Sequence, residues 1–245
     1  MDNEELLKKR LYELSHRAYE RGYKTFSEFL NLNEISTLKS LKLESNNLLF
    51  GGYLNAERCV SGFGDNLNEC DFPIVCIKIE PLNQKFADRL THRDFLGSLM
   101  NLGINRNNLG DIIISDNIGY LFCLNSMSDY IIKNLCRIRH TTVTCSIIDY
   151  IPDFITKEPE GEEIIISSQR ADVIVSAVFK MSRNQVTQLF NQEKVFINSK
   201  VAYKESLMLN EDDIISVRGY GKFIFSKALR ETKKGRTVAE VKIYR

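Results

Sequence analysis

The chain has 245 residues, 43% hydrophobic and 27% charged, an ordinary soluble composition that allows one large domain or two to three small ones. Its formal charge of +1 hides a segregation: residues 168–245 carry 15 Lys and Arg against 8 Asp and Glu, and the rest carry 18 against 24. No apolar run approaches the length of a membrane helix, and MDNEELLKKR lacks the apolar core of a signal peptide, so a cytoplasmic protein without membrane contact is expected. Cys59, Cys70, Cys76, Cys123, Cys136 and Cys145 form no C-x-x-C pair and are expected as buried free thiols in a reducing cytosol. His16, His92 and His140 are scattered without ligand spacing, so neither a metal nor a cofactor is expected.

In chain order, Leu7, Leu11, Leu14 and Ala18 repeat at helical spacing and Gly22 stops the run. Thr25 is expected to cap a second helix through Phe26, Phe29 and Leu30, with a third segment around Leu38 to Leu43. Phe50-Gly51-Gly52-Tyr53-Leu54-Asn55-Ala56-Glu57-Arg58 reads as a sharp turn with an ion pair. Gly62-Phe63-Gly64 has Leu67 where a dinucleotide fingerprint needs its third glycine.

From Phe72 strands alternate with helices: Ile74–Ile79, a helix capped by Thr91, then Asp111–Ile114 and Tyr120–Leu124 joined by Ser-Asp-Asn, a helix opened by Ser126 to Asp129, and Thr141–Ile148. This β-α-β-β-α-β order is the ferredoxin-like plan. Gly119-Tyr120-Leu121-Phe122 faintly echoes the base-stacking strand of RNA-recognition motifs but lacks its leading basic residue, so sequence-specific stacking is not expected. His92-Arg93-Asp94 is no kinase loop, because Leu99 stands where the metal-binding Asn belongs. IPDFITKEPEGEE, residues 151–163, holds two of the four prolines and five acidic residues and marks a linker.

Beyond it, Ile174, Ala177, Val178 and Met181 give one helix, and Ser182-Arg183-Asn184-Gln185 is a capping box that starts another. Val186, Leu189 and Phe190 form its apolar side, leaving Arg183, Asn184, Thr187 and Gln188 free. Val195–Ile197 and Ile214–Arg218 read as strands, Asn198-Ser199-Lys200 as a turn. Lys222–Leu229 and Val238–Tyr244 flank a basic hairpin tip at Lys233, Lys234 and Arg236. An arginine at a helix start is poor for the helix but well placed for a phosphate.

Arg170-x-Asp172, Ser182-Arg183, Leu189, Val195-x-Ile197-Asn198, Leu209, Asp213-x-Ile215 and Arg218-Gly219-x-Gly221-Lys222-Phe223 together resemble the S-four type RNA-binding domain. The resemblance implies RNA-facing roles for Arg170, Ser182, Arg183, Asn198 and Lys200. Thr187, Gln188, Lys194, Arg218 and Lys222 complete the candidate set, with His92, Arg93, Arg106, Lys233, Lys234 and Arg236 as secondary contacts; no catalytic residue is nominated. Ser199 and Asp212 replace glycines common in that domain, so both turns are expected to differ in backbone geometry.

The Phe50–Tyr53 and Ala56–Arg58 runs, Leu90 to Ile104, Arg106 and Gly110-Asp111-Ile112 are similar to the YlmH family of bacterial proteins, a likeness that covers nearly the whole chain. It implies a non-enzymatic factor in ribosome-associated quality control, binding ribosomal RNA of the large subunit and tRNA or peptidyl-tRNA, and a link to cell division. An RNA-modifying enzyme and a division adaptor are the alternatives. The expected architecture is α+β and monomeric off the ribosome: a mainly helical region (1–68), a ferredoxin-like domain (69–152), a linker (153–167), and a small S-four type domain ending in a β-hairpin (168–245).

Overall fold

The computed structural model describes residues 3–54, 56–233 and 235–244. The chain divides into two compact units, Met1–Thr156 and Lys157–Arg245.

The first unit opens with α1 (Asn3–Arg21), whose Leu11 and Ala18 are buried as the helical spacing predicts; Gly22 ends it at φ 65°. Thr25–Leu30 is strand β1, a correction to the expected second helix. Thr25, Ser27 and Phe29 are buried in alternation, and the Ser27 hydroxyl accepts the Ser61 amide at 2.9 Å, so period two wins over the local Phe26-Phe29-Leu30 spacing. Helix α2 (Leu32–Ser40) follows an Asn31–Glu34 capping box, and β2 (Asn47–Phe50) and β3 (Cys59–Phe63) complete an antiparallel sheet in the order β1-β3-β2. The N-terminal region is thus two helices on a three-stranded sheet.

The next elements are β4 (Ile74–Pro81), α3 (His92–Asn101), β5 (Leu109–Ser115), β6 (Ile118–Leu124), α4 (Asn125–Asn134), β7 (Arg137–Ile138) and β8 (Thr141–Ile148). The antiparallel order β5-β6-β4-β8-β7 gives the ferredoxin-like plan, with two-residue β7 added at one edge. Phe95 and Leu99 of α3 and Ile131 of α4 pack on one face of this sheet with Ile77, Ile79 and Leu121. The other face is covered too. Tyr120, Phe122 and Cys76 pack against Phe29, Val60, Phe50 and Tyr53 of the N-terminal region and against Ile155 of α5 (Asp153–Thr156). The N-terminal sheet therefore lies between its own helices and the middle sheet.

The second unit comprises β9 (Gly161–Ile166), α6 (Ala171–Phe179), α7 (Arg183–Asn191), β10 (Val195–Ile197), β11 (Lys200–Val201), β12 (Asp213–Val217), β13 (Gly221–Glu231) and β14 (Thr237–Tyr244). Its sheet runs β11-β10-β12-β13-β14-β9, all antiparallel. Both helices lie on one face, where Ile174, Val186 and Leu189 meet Ile215, Phe223, Phe225 and Val241. The segment expected as a linker is ordered structure: α5 buries Ile155 in the first unit, and β9 pairs with β14 from Ile166↔Thr237 to Gly161↔Lys242. Acidic and proline content masked a strand whose apolar residues are only Ile164, Ile165 and Ile166.

Cys59, Cys76 and Cys123 are buried as expected, but Cys70 and Cys136 are exposed. Burial pushes the Cys76 and Cys123 thiols up to about 12, which keeps them unreactive. No described helix is long and apolar enough to cross a membrane.

Candidate nucleic-acid interface

In the second unit the start of α6 is built by chain closure. The 202–212 loop returns so that Ala171 N–H donates to Leu207 O (2.8 Å), Asp172 N–H to Glu205 O (3.1 Å) and Leu209 N–H to Gln169 O (2.9 Å). Two amides of the first turn, which a helix leaves orphaned, thereby find acceptors. Arg170 forks onto the Asp172 carboxylate, Nε to Oδ1 at 3.0 Å and Nη2 to Oδ2 at 2.8 Å, which raises the guanidinium's pKa and keeps it charged.

Helix α6 ends at Lys180 in the left-handed conformation, with Met181 N–H donating to Ser176 O. The expected capping box then starts α7: Ser182 N–H donates to Gln185 Oε1 (2.9 Å) and Gln185 N–H to Ser182 Oγ (3.4 Å). Val186, Leu189 and Phe190 face inward; Arg183 and Gln188 stay exposed; Thr187 is half-buried and donates to Glu205 Oε2 at 3.0 Å.

Between the helix starts and the end of β9 lies an open cavity of about 690 Å³. Arg170, Arg183 and Arg236 line it, with Asp172, Glu205, Ser167, Ser168, Ser176 and Thr187. Three guanidiniums face two carboxylates. Asp172 is committed to Arg170, whereas Arg183 and Arg236 have no ion pair among the described residues. The fork geometry of two uncommitted arginines, ringed by hydroxyls, suits phosphate oxygens. Ser167, Ser168 and Glu205 join the site only through tertiary pairing of β9 with β14 and through the loop closure, and Ser176 lies one turn along α6 from Asp172; no local pattern marks them.

The other candidates are placed elsewhere. The Asn198 side chain is tied into the fold, Nδ2 donating to Asp213 Oδ1 (2.8 Å) and Oδ1 accepting from Ile214 N–H (3.0 Å), while the residue itself stays exposed. Asn198 and Ser199 both take positive φ, 50° and 62°, and Asp212 takes 64°. Left-handed geometry is therefore kept without glycine, contrary to the expected change of backbone, because buried Asp213 holds Asn198 and the Asn210 amide in place. Lys200 is exposed at the hairpin and Lys194 half-buried. Arg218 lies 5.7 Å from the Phe196 ring centroid. Lys222 is only 7% exposed, its ammonium 4.3 Å from the Tyr244 ring centroid, so it is an interior cation–π partner rather than a surface contact. Lys233 is exposed, and Lys234 lies outside the described residues.

In the first unit, residues from four segments meet around Asp111. Its Oδ2 accepts from Tyr53 Oη (2.8 Å) and Glu57 N–H (2.7 Å), and its Oδ1 from Arg58 N–H (3.2 Å). Burial and this carboxylate hold the Tyr53 phenol strongly protonated. The Arg58 guanidinium donates to Leu109 O, Phe29 O and Arg106 O at 2.9–3.2 Å. Arg106 Nη1 donates to Leu109 O (2.6 Å) and Gly110 O (3.0 Å); burial and then Arg58 push its pKa down to about 10, so it stays charged at neutral pH. Gly52 is at φ 98°, and a Cβ there would strike the Phe122 ring, so only glycine fits this turn. The turn is clasped by Asp111, which accepts from Tyr53 Oη and from the Glu57 and Arg58 amides. His92 and Arg93 are exposed at the start of α3. Desolvation and then Arg106 lower the His92 pKa, opposed by Asp111.

The S-four-like helix pair, its basic cavity and the ferredoxin-like domain fit a protein of the RNA-binding class. Residues 68–151 match the family described as "Putative RNA-binding domain in YlmH". The chain is 29% identical over 194 residues, 75% of its length and 72% of the relative's, to the "Ribosome-associated protein quality control protein P2" of Bacillus subtilis (strain 168). Among solved structures it is similar to "Cell division protein ylmH from Streptococcus pneumoniae", with a TM-score of 0.47, 17% identity, and coverage of 63% of this chain and 94% of that one. The YlmH resemblance read from the sequence is borne out, with residues 68–151 matching the model of that family's RNA-binding domain.

Proposed function

We propose that the chain is a non-enzymatic cytoplasmic factor of ribosome-associated quality control that grips ribosomal RNA of the large subunit beside peptidyl-tRNA. The observation that carries the reading is the 690 Å³ cavity, where Arg183 and Arg236 are uncommitted and Arg170 is held in place by Asp172. Such a site binds phosphates in a fixed spatial pattern and positions RNA without chemistry. The name of the Bacillus subtilis relative supports the ribosomal setting.

The test is co-sedimentation of the full chain with purified large subunits, with and without bound peptidyl-tRNA, across a salt series. Arg183→Ala should weaken association, and the slope of log affinity against log salt should fall by roughly one. Unchanged association and slope would remove the cavity from the reading. Binding to small subunits alone would remove the large-subunit assignment.

A further inference from the structure

The ferredoxin-like sheet cannot meet RNA as an RNA-recognition motif does. Tyr120 and Phe122, on the face where such motifs stack bases, are 8% and 1% exposed beneath Tyr53, Phe29 and Phe154. Contact with nucleic acid by this domain is left to its loops.

At one end of the domain three loops are fastened together by hydrogen bonds. In the loop between β4 and α3, Leu82 N–H donates to Thr142 O (2.9 Å) and Gln84 Nε2 to Asp116 O (3.4 Å). Asp88 is the knot: its N–H donates to Thr141 Oγ1 (2.9 Å), its carbonyl accepts from Asn117 Nδ2 (2.8 Å), and its Oδ2 accepts from His140 N–H (3.2 Å). Asn117 Oδ1 accepts in turn from Leu90 N–H at 2.7 Å. The β5–β6 turn and the β7–β8 turn are thereby bound to the loop before α3, and Arg139 Nε stands 3.8 Å from Asp94 Oδ1 in the first turn of that helix.

This frame displays what a fold ordinarily hides. Phe86 is 80% exposed, more than any other large apolar side chain among the described residues, and Leu82 on the same loop is 69% exposed. The Lys85 ammonium lies 6.0 Å from the Phe86 ring centroid. Charge gathers at the same end: of the eight Lys and Arg in residues 69–152, five (Lys85, Arg89, Arg93, Arg137 and Arg139) sit on these segments, all exposed. Only Arg139 of the five has an ion pair among the described residues. The carboxylates nearby are partly spent, Asp88 on His140 and Asp94 on Thr91 and Arg139. A bare aromatic ring beside cations, on a frame already held in place, suits a single strand of nucleic acid: a base stacks on the ring, the cations meet the flanking phosphates, and little freedom is lost on binding. A duplex keeps its base faces covered, and a protein pocket for Phe86 alone would leave the cations unmatched.

We propose that this end of the middle domain binds unpaired RNA, with Phe86 stacking on a base and Lys85, Arg89 and Arg137 meeting the neighbouring phosphates. The proposal rests on the RNA-binding reading and adds a base-stacking contact in the unit that does not hold the Arg183 cavity.

The chain contains no tryptophan, so Phe86→Trp places a single indole at the contact, where stacking on a base quenches its emission. The full chain carrying Phe86→Trp and Arg183→Ala is titrated with a short oligouridylate and with a blunt RNA duplex of equal length. The oligouridylate should quench the emission saturably and the duplex should not. With a labelled oligouridylate, Phe86→Ala should weaken binding at least about fivefold without changing its salt dependence, and Phe86→Tyr should retain it. Arg89→Gln should instead lower the slope of log affinity against log salt by about 0.7. An indole that ignores oligouridylate, or a Phe86→Ala chain that binds it unchanged, overturns the site. Equal quenching by the duplex overturns the assignment to unpaired RNA, and a response to RNA-free ribosomal proteins without one to oligouridylate overturns it in favour of a protein partner. Because Arg183 is already removed from the titrated chain, a silent indole counts against this end of the middle domain alone, whereas unchanged ribosome association of Arg183→Ala counts against the cavity.

Discussion

Arg183 and Arg236 in the second unit and Arg58 and Arg106 in the first are the same side chain put to opposite uses. The first pair is exposed, has no ion pair among the described residues and lines an open cavity. The second is half-buried and donates to five backbone carbonyl contacts, so its charge is carried inside the fold at a cost that the hydrogen bonds offset. Substitution separates the two: an exposed arginine is read out in binding, a clasping one in stability.

The largest effect is expected at the clasp. Asp111→Ala removes the acceptor of three donors and leaves two desolvated arginines without their nearest anion, which should cost the first unit about 3–5 kcal/mol in chemical denaturation. A loss under about 1 kcal/mol would show that the turn holds itself. Arg183→Ala should weaken RNA association about tenfold at low salt and change stability by less than about 0.5 kcal/mol, since the side chain is exposed and has no ion pair among the described residues; a shifted unfolding midpoint would erase the contrast between the two arginine pairs.

Smaller effects sharpen it. Ser199→Gly and Asp212→Gly should each stabilise the second unit by about 1 kcal/mol, because both residues sit at positive φ; thermal unfolding measures this. The histidines should titrate in opposite directions. The hydrogen bond to Glu44, then the charges of Glu20 and Glu44, raise His16, so its contribution to stability is present below pH 6.5 and lost as pH rises through the raised pKa. Desolvation and Arg106 lower His92, so its contribution is present above pH 6.5 and lost as pH falls through the lowered pKa. Proton NMR titration checks both signs.

Where one segment carries its own signal, the sequence was readable. The capping boxes at Thr91 and Ser182, the Ser-Asp-Asn turn and the Thr141–Ile148 strand need only neighbours along the chain. Thr25–Leu30 was misread because its apolar spacing fits both periods, and pairing with β3 decides between them. Of the RNA-facing set, Arg170, Arg183 and Arg236 converge, yet Asn198 and Lys222 are taken up by Asp213 and Tyr244, partners visible only after folding. The Gly51-Gly52-Tyr53 and Arg58 motif stands out in the sequence but its purpose does not, since Asp111 lies more than fifty residues away along the chain.

Strand β9 has a consequence for how the second unit stays out of trouble. It is the outermost strand beside the eight-residue β14, and without it that long strand would offer an unpaired row of amides and carbonyls to any extended chain. A fragment begun at residue 168 would carry that bare edge and would lack Ile164 and Ile166, which pack on its core. In the intact chain the exposed border begins Gly161-Glu162-Glu163, and Glu163 is forked by Arg230 at 2.8–2.9 Å. The acidity that made this stretch look like a tether instead puts charged side chains along an edge, which disfavours pairing with other strands and guards the sheet against self-assembly.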